Sequence, residues 1–130
     1  MKIKPAKWLF LPLEIKVREL ESKVLLSCCA AEKGFCTIIG PSGFNLNKDL
    51  PGGVYFDKSI SPNKLQFLRK QKFECNNKIV CLDEEGLVHP KDHYIRERTS
   101  IQTIKLTDKV FCWGDNQCHL LQCEYNNEKD

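Results

Sequence analysis

Five short apolar runs alternate with longer polar or amphipathic stretches, and this alternation constrains the fold more than any other feature. The runs lie at 8–13, 35–39, 54–56, Lys78–Leu82 and 110–113. A continuous apolar run bounded by polar residues suits a strand covered on both faces, as in a parallel sheet. Helix-patterned stretches between such strands form βαβ units. The expectation is an α/β class, a Rossmann-like three-layer domain with a mostly parallel sheet of about five strands. The 130 residues fit one domain, which at this size buries roughly two thirds of its unfolded surface. It is expected over 1–125, with 126–130 as a frayed tail.

Local signals place the elements between the strands. Pro12 lacks a ladder donor, so it belongs at the carboxyl end of the first strand or on an edge. Val17, Leu20, Val24, Leu25, Cys28 and Ala31 recur at helical spacing over 17–32. They mark the expected buried stripe, with Arg18, Glu21, Ser22 and Lys23 opposite, and Gly34 supplies a left-handed stop. Residues 45–50 read as irregular or briefly helical. Ser61-Pro62 looks like an N-cap followed by proline at the first helical position, opening a helix over 62–72. Residues 87–107 are mixed and polar, with a helical stretch at 91–98, and a terminal helix is expected over 115–123.

The eight cysteines are the one unusual feature of the composition. The apolar run at 8–13 is too short for a signal sequence and no stretch approaches a membrane span, so a cytoplasmic chain with free thiols is expected. Cys36, Cys81 and Cys112 fall in strand-like runs, and Cys28 and Cys29 lie on the first helix. There they read as small core hydrophobes. Cys118-His119 with Cys123 is the best local metal cluster, but paired Cys-x-x-Cys spacing is missing, so no metal is expected. The net charge of +3 is dispersed, which gives nucleic-acid binding no support.

In an open parallel sheet, ligands bind beyond the carboxyl ends of the strands. The ends here carry Glu14 with Arg18 and Glu19, then Gly40-Pro41-Ser42-Gly43, Asp57-Lys58-Ser59, Asp83-Glu84-Glu85-Gly86 and Gly114-Asp115-Asn116. Each has a plain alternative, respectively a solvated first helical turn, a simple turn, an ordinary turn, an exposed acidic loop and a helix start. The functional readings are a general base or sugar-hydroxyl acceptor among the carboxylates, and an anion held by Lys58 and Ser59. His89, His93 and His119 are further potential bases. Neither a Walker spacing nor Gly-x-Gly-x-x-Gly is present, and no cofactor is expected.

Four ordered blocks carry a family resemblance across residues 9–114. They are Leu11-Pro12-Leu13-Glu14-Ile15-Lys16-Val17-Arg18-Glu19, Gly53-Val54-Tyr55-Phe56-Asp57-Lys58-Ser59, Asp83-Glu84-Glu85-Gly86-Leu87 and Phe111-Cys112-Trp113-Gly114. Together they resemble the N-terminal part of bacterial surface carbohydrate biosynthesis proteins, glycosyltransferase-like proteins of capsule and lipopolysaccharide O-antigen loci. The resemblance implies the acceptor-side half of a GT-B architecture, incomplete without a second Rossmann-like domain or chain that carries the nucleotide-sugar. It implies a sugar or polysaccharide acceptor and a cytoplasmic location, extending to the periphery of the inner membrane. Glu84, Asp83 and Glu14 would then be catalytic, and Arg18, Glu19, Asp57, Lys58, Ser59, Glu85 and Gly86 would bind substrate. Two alternatives stand beside this reading. One is a noncatalytic binding or scaffold domain. The other is a response-regulator-like domain, which would need a lysine at the last strand end where Gly114-Asp115 stands.

Overall fold

The computed structural model describes residues 7–46, 49–86 and 88–126. The strands are β1 (Lys7–Leu13), β2 (Phe35–Pro41), β3 (Val54–Asp57), β4 (Lys78–Leu82) and β5 (Lys109–Phe111). They form one parallel sheet in the order β2-β1-β3-β4-β5, one of the two common doubly wound orders. The helices are α1 (Lys16–Glu32), α2 (Leu65–Phe73), α3 (Lys91–His93), α4 (Ile101–Leu106) and α5 (Asp115–Tyr125). They flank the sheet, giving the three-layer α/β fold of Rossmann type. Contacts group the chain into two compact units, one of Met1–Phe56 with Lys70–Lys78 and one of Asp57–Arg69 with Ile79–Asp130.

In the first unit, Leu9, Phe10, Leu11 and Tyr55 are buried, which accounts for the unbroken apolar reading of β1. The Phe10 and Phe44 rings meet edge to face, with centroids 6.0 Å apart. Pro12 stands opposite Gly40 in the β1–β2 ladder. The pairing of β1 with β3 is at Leu9 and Phe10, before Pro12 is reached. The proline therefore sits at the carboxyl end of an interior strand, where its missing N–H leaves the β3 pairing intact.

Helix α1 is rotated from its expected orientation. Val17 is 98% exposed and Leu25 66%, whereas Glu19 and Lys23 are 3% and 4% exposed. The inward stripe is Glu19, Lys23 and the half-buried Leu20, Leu26, Ser27 and Ala30, with Leu20 alone kept from the expected set. It lies one residue back from the expected stripe, a rotation of about 100°. Polar contacts account for this register. The Glu19 carboxylate accepts the Glu14 N–H at 2.9 Å, the Lys23 ammonium lies 5.4 Å from the Phe56 ring centroid, and the Ser27 and Thr37 hydroxyls are hydrogen-bonded. The helix stops where Gly34 takes φ +83°, a conformation that costs glycine little.

A buried amide network with no clear signature in the sequence lies in the same unit. Asn45 and Gln71 exchange two hydrogen bonds, of 2.7 and 2.9 Å. Asn77 Nδ2 donates to Gln71 Oε1 at 2.9 Å, and Asn77 Oδ1 accepts the Gly53 N–H at 2.8 Å. Gln71 thus ties the turn after β2 to the starts of β3 and β4.

The second unit is built on β4 and β5, paired from Val80↔Lys109 to Leu82↔Phe111. Asp108 clamps the start of this pair, its Oδ2 accepting the Ile79 N–H at 2.7 Å and its own N–H donating to Ile79 O at 2.8 Å. Ile60, Leu68, Ile79, Cys81, Tyr94 and Leu121 are buried here. A 3-10 turn at Pro62–Lys64 precedes α2, and Ser61 makes no side-chain cap bond. The expected helix at 91–98 is α3 running straight into a π-helical segment, Tyr94–Arg98. Helix α4 has no counterpart in the sequence reading, because it is one short turn capped by Ser100 and anchored by buried Thr103. Strand β5 begins and ends before the expected 110–113. Of 45–50, residues 45, 46, 49 and 50 are described, without regular helix, and 47 and 48 lie outside the described residues; of the tail, so do 127–130.

The cysteines correct the core reading. All eight are unbridged, and only Cys81 is buried. Cys28, Cys29 and Cys36 are exposed, the first two because of the rotation of α1, and Cys112 is half-buried. No described helix is long and apolar enough to cross a membrane.

Replacing Gln71 by leucine keeps side-chain volume but orphans the buried amides of Asn45 and Asn77, each costing about 1–3 kcal/mol. Urea unfolding of Gln71→Leu is expected to show a loss of about 3 kcal/mol. A change below about 0.5 kcal/mol, typical of a neutral surface site, would show that the network is dispensable.

Candidate functional site

The strand-end residues fall into both units. In the first, Glu19 is occupied structurally. Its Oε2 takes the Glu14 N–H and its Oε1 faces Arg18 Nη2 at 3.3 Å, while Arg18 remains 58% exposed. Glu19 thereby fixes the turn from β1 into α1.

In the second unit, two buried aspartates close β3 and follow β4. Asp57 is 1% exposed, and its Oδ1 accepts the Ser59 N–H at 3.0 Å and meets Lys64 Nζ at 3.5 Å. Ser59 is buried, its Oγ accepting the Ser61 N–H at 3.2 Å and its carbonyl facing the Cys81 thiol at 3.7 Å. The Lys58 carbonyl accepts the Glu84 N–H at 3.2 Å, joining the two acidic loops through backbone. Burial raises the Asp57 pKa above its ordinary 3.8, against the opposing pull of Lys64. The same burial, with Asp57 nearby, leaves the Cys81 thiol pushed up to about 12, which makes it inert as a nucleophile.

Asp83 is 0% exposed and organises more of the surroundings than Asp57. Its Oδ1 accepts the Glu85 N–H at 3.2 Å and faces Arg98 Nη2 at 3.4 Å. Arg98 also pairs with Glu85 Oε2 at 3.1 Å. The Asp83 carbonyl accepts the Gly86 N–H at 3.1 Å and Trp113 Nε1–H at 2.6 Å. Burial is the main force raising the Asp83 pKa, opposed by the Glu85 N–H, Arg98 and the Tyr94 hydroxyl. Asp57 Oδ2 and Asp83 Oδ2 are both buried without a hydrogen bond of normal geometry. A neutral acid tolerates such a place better than a carboxylate.

Beside this loop lies an open pocket of about 410 Å³, within the range of small-molecule sites. Gly86 is the one proposed site residue on its wall. The rest of its polar lining comes from His89, Lys91, Tyr94, Asn116, Gln117 and His119. Gln117 is held at both ends, its Oε1 accepting the Trp113 N–H at 2.8 Å and its Nε2 donating to Tyr94 Oη at 2.7 Å. Burial and the nearby Asp83 charge push the Tyr94 phenol up, so it stays protonated. Gly86 is needed for close approach, because a Cβ there would lie 2.4 Å from Gln117 Nε2. His89 stacks on His93 at 4.9 Å, and His93 Nδ1 faces Glu97 Oε1 at 3.3 Å. The π-helical segment begins with Tyr94 on the pocket wall and ends with Arg98 on Asp83, a feature frequent at functional sites.

Among the described residues no carboxylate lines this pocket. Asp83 is buried at the start of the turn that carries Glu84 and Glu85 to Gly86, and Asp57 is buried against Ser59 and Lys64. Tyr94, Gln117 and Arg98 were not singled out in the sequence. Their one available signal was the helical pattern over 91–98 and the polar start of α5. The Cys118, His119 and Cys123 cluster is split, with His119 and Cys123 on this pocket and Cys118 on another. Among the described residues no group of His, Cys, Asp and Glu side chains is arranged to hold a metal.

Because both aspartates have raised pKa values in the folded state, that state binds protons more readily than the unfolded chain. Their stabilising contribution is therefore full below about 3.8 and is lost as pH rises through the raised values. Denaturation of wild type and the Asp57→Asn/Asp83→Asn variant across this window is expected to show wild type losing stability relative to the variant as pH rises. A relative gain would mean that Lys64 and Arg98 outweigh burial.

Comparison of the chain with models of known families, with curated proteins and with solved structures gives no match.

Proposed function

We propose that the pocket beside Gly86 binds a hydroxyl-rich acceptor, and that the chain is the acceptor-side half of a glycosyltransferase-related protein of surface polysaccharide assembly. A second Rossmann-like domain or chain would bring the nucleotide-sugar. The observation that carries this reading is the pocket lining of amide, phenol, imidazole and ammonium groups around a rigidly held Gln117. Such groups donate to and accept from sugar hydroxyls, and fixed donors lose little entropy on binding. The ordered sequence blocks supply the polysaccharide context.

The role of the acids follows from their surroundings. Asp83 orients the loop that presents Gly86, with Glu85 sharing Arg98. Glu84 is the proposed proton acceptor for an attacking hydroxyl. Asp57, Lys58 and Ser59 shape the neighbouring strand end, and Arg18 and Glu19 do so in the first unit. The lack of a carboxylate among the described residues of the wall favours a second reading, a binding domain without catalysis.

Titration of the chain with mono- and oligosaccharides, followed by NMR shifts of the Gln117 side-chain amide, tests binding. Saturable shifts are expected, with at least about a tenfold weakening in Gln117→Ala and in Gly86→Ala, equivalent to about 1.4 kcal/mol. Absence of saturable shifts with any sugar would sink both sugar-based readings. Binding with no transfer from any nucleotide-sugar in the presence of a complete donor domain, and no effect of Glu84→Ala, would leave the noncatalytic one.

A further inference from the structure

The ionisable side chains that line the pocket beside Gly86 are all bases. Lys91 contributes an ammonium, and His89 and His119 contribute two imidazoles; among the described residues no carboxylate shares the wall with them. Asp92, Asp115 and Glu124 are next in sequence to lining residues but are exposed and outside the lining. Three neighbouring acids are engaged elsewhere. Asp83 and Glu85 face Arg98 at 3.4 and 3.1 Å, and Glu97 faces His93 at 3.3 Å. Among the described residues, no ion pair joins Lys91 or His119 to an acid.

The rest of the lining adds donors. Gln117 Nε2 gives one N–H to Tyr94 Oη at 2.7 Å, and a primary amide has a second. Asn116 adds another amide, and an imidazole offers an N–H in either protonation state. His89 is braced by its stack on His93, yet its Nε2 is buried without a hydrogen-bond partner among the described residues. A buried polar nitrogen in that state is uncommon, and a ligand oxygen would complete it. Asn116 and Gln117 also lie in the first turn of α5, the end at which the helix dipole favours negative charge.

We propose that the pocket selects an acidic sugar, one whose ring carries a carboxylate or a phosphate, over its neutral counterpart. The proposal rests on the reading of this pocket as a sugar-acceptor site and narrows it. The anionic group sits with Lys91 and the imidazoles, where each contact is a charge-assisted hydrogen bond. The ring hydroxyls meet the amides of Asn116 and Gln117. A neutral polyol needs acceptors as much as donors, and an ionised carboxylate is an acceptor only; the described wall offers none. Because the pocket is open to solvent, salt screens part of the attraction, and the preference is expected to fall as ionic strength rises.

The test titrates the full chain at low salt with methyl β-glucuronide, a glucose monophosphate and methyl β-glucoside, following the Gln117 side-chain amide by NMR. At least one anionic sugar is expected to bind about tenfold more tightly than the glucoside, the margin of a charge-assisted hydrogen bond over a neutral one. Whichever does so identifies the anionic group. Lys91→Gln is expected to cut that margin about threefold, the contribution of a largely exposed ion pair, and Lys91→Arg to keep it. Lys105→Gln, which removes the same charge outside this pocket, is expected to leave the margin unchanged. Saturable binding of all three sugars with equal affinity would overturn the acidic preference and leave the hydroxyl-rich acceptor reading standing. Saturable binding of none would overturn both. Acetate or inorganic phosphate binding as tightly as the anionic sugar would overturn the proposal by showing an anion site without sugar selectivity. A margin untouched by both Lys91→Gln and His119→Gln would overturn the placing of the anionic group on this wall.

Discussion

The burial of Asp83 is the constraint around which the second unit is arranged. A fully enclosed carboxyl must find partners or remain protonated, because isolated charge in a low-dielectric interior is costly. Its side chain draws in Arg98 and the Glu85 N–H, and its carbonyl gathers the Gly86 and Trp113 donors. Four segments are tied by one residue, the acidic loop, the π-helical segment, the end of β5 and, through Gln117, the start of α5. A buried ion pair of this kind is weak evidence for net stability. What it supplies here is position, since each partner has one place in which the acid is satisfied.

Asp57 repeats the arrangement at lower connectivity. Lys64 and the Ser59 N–H serve it, and Ser59 in turn serves Ser61 and faces Cys81. Both aspartates retain one buried oxygen without a well-formed bond. Strand ends of a parallel sheet commonly carry reactive acids, yet these two are withdrawn from solvent. The polar chemistry of the pocket lies instead with Gln117, held by Trp113 and Tyr94, and with the imidazoles of its wall.

The first unit shows polar groups deciding a helix orientation that apolar spacing had pointed elsewhere. Burying Glu19 and Lys23 is tolerable because Glu19 receives the Glu14 N–H and the Lys23 ammonium stands over the Phe56 ring. Val17 and Leu25 face outward as a result. The amide network of Asn45, Gln71 and Asn77 likewise joins residues distant in sequence, each satisfied by the others.

The sequence by itself determined the fold class and most of the elements. Apolar runs and helical patterning are local properties, and all five strands, α1, α2 and α5 followed from them, as did the stop at Gly34 and the place of Pro12. It also placed Asp57 and Asp83 at strand ends. The tertiary structure alone decided which groups are enclosed, the one-residue rotation of α1, the pairing of Asp83 with Arg98 and the grip on Gln117. Those outcomes depend on desolvation and on partners many residues away, quantities that no window of sequence contains.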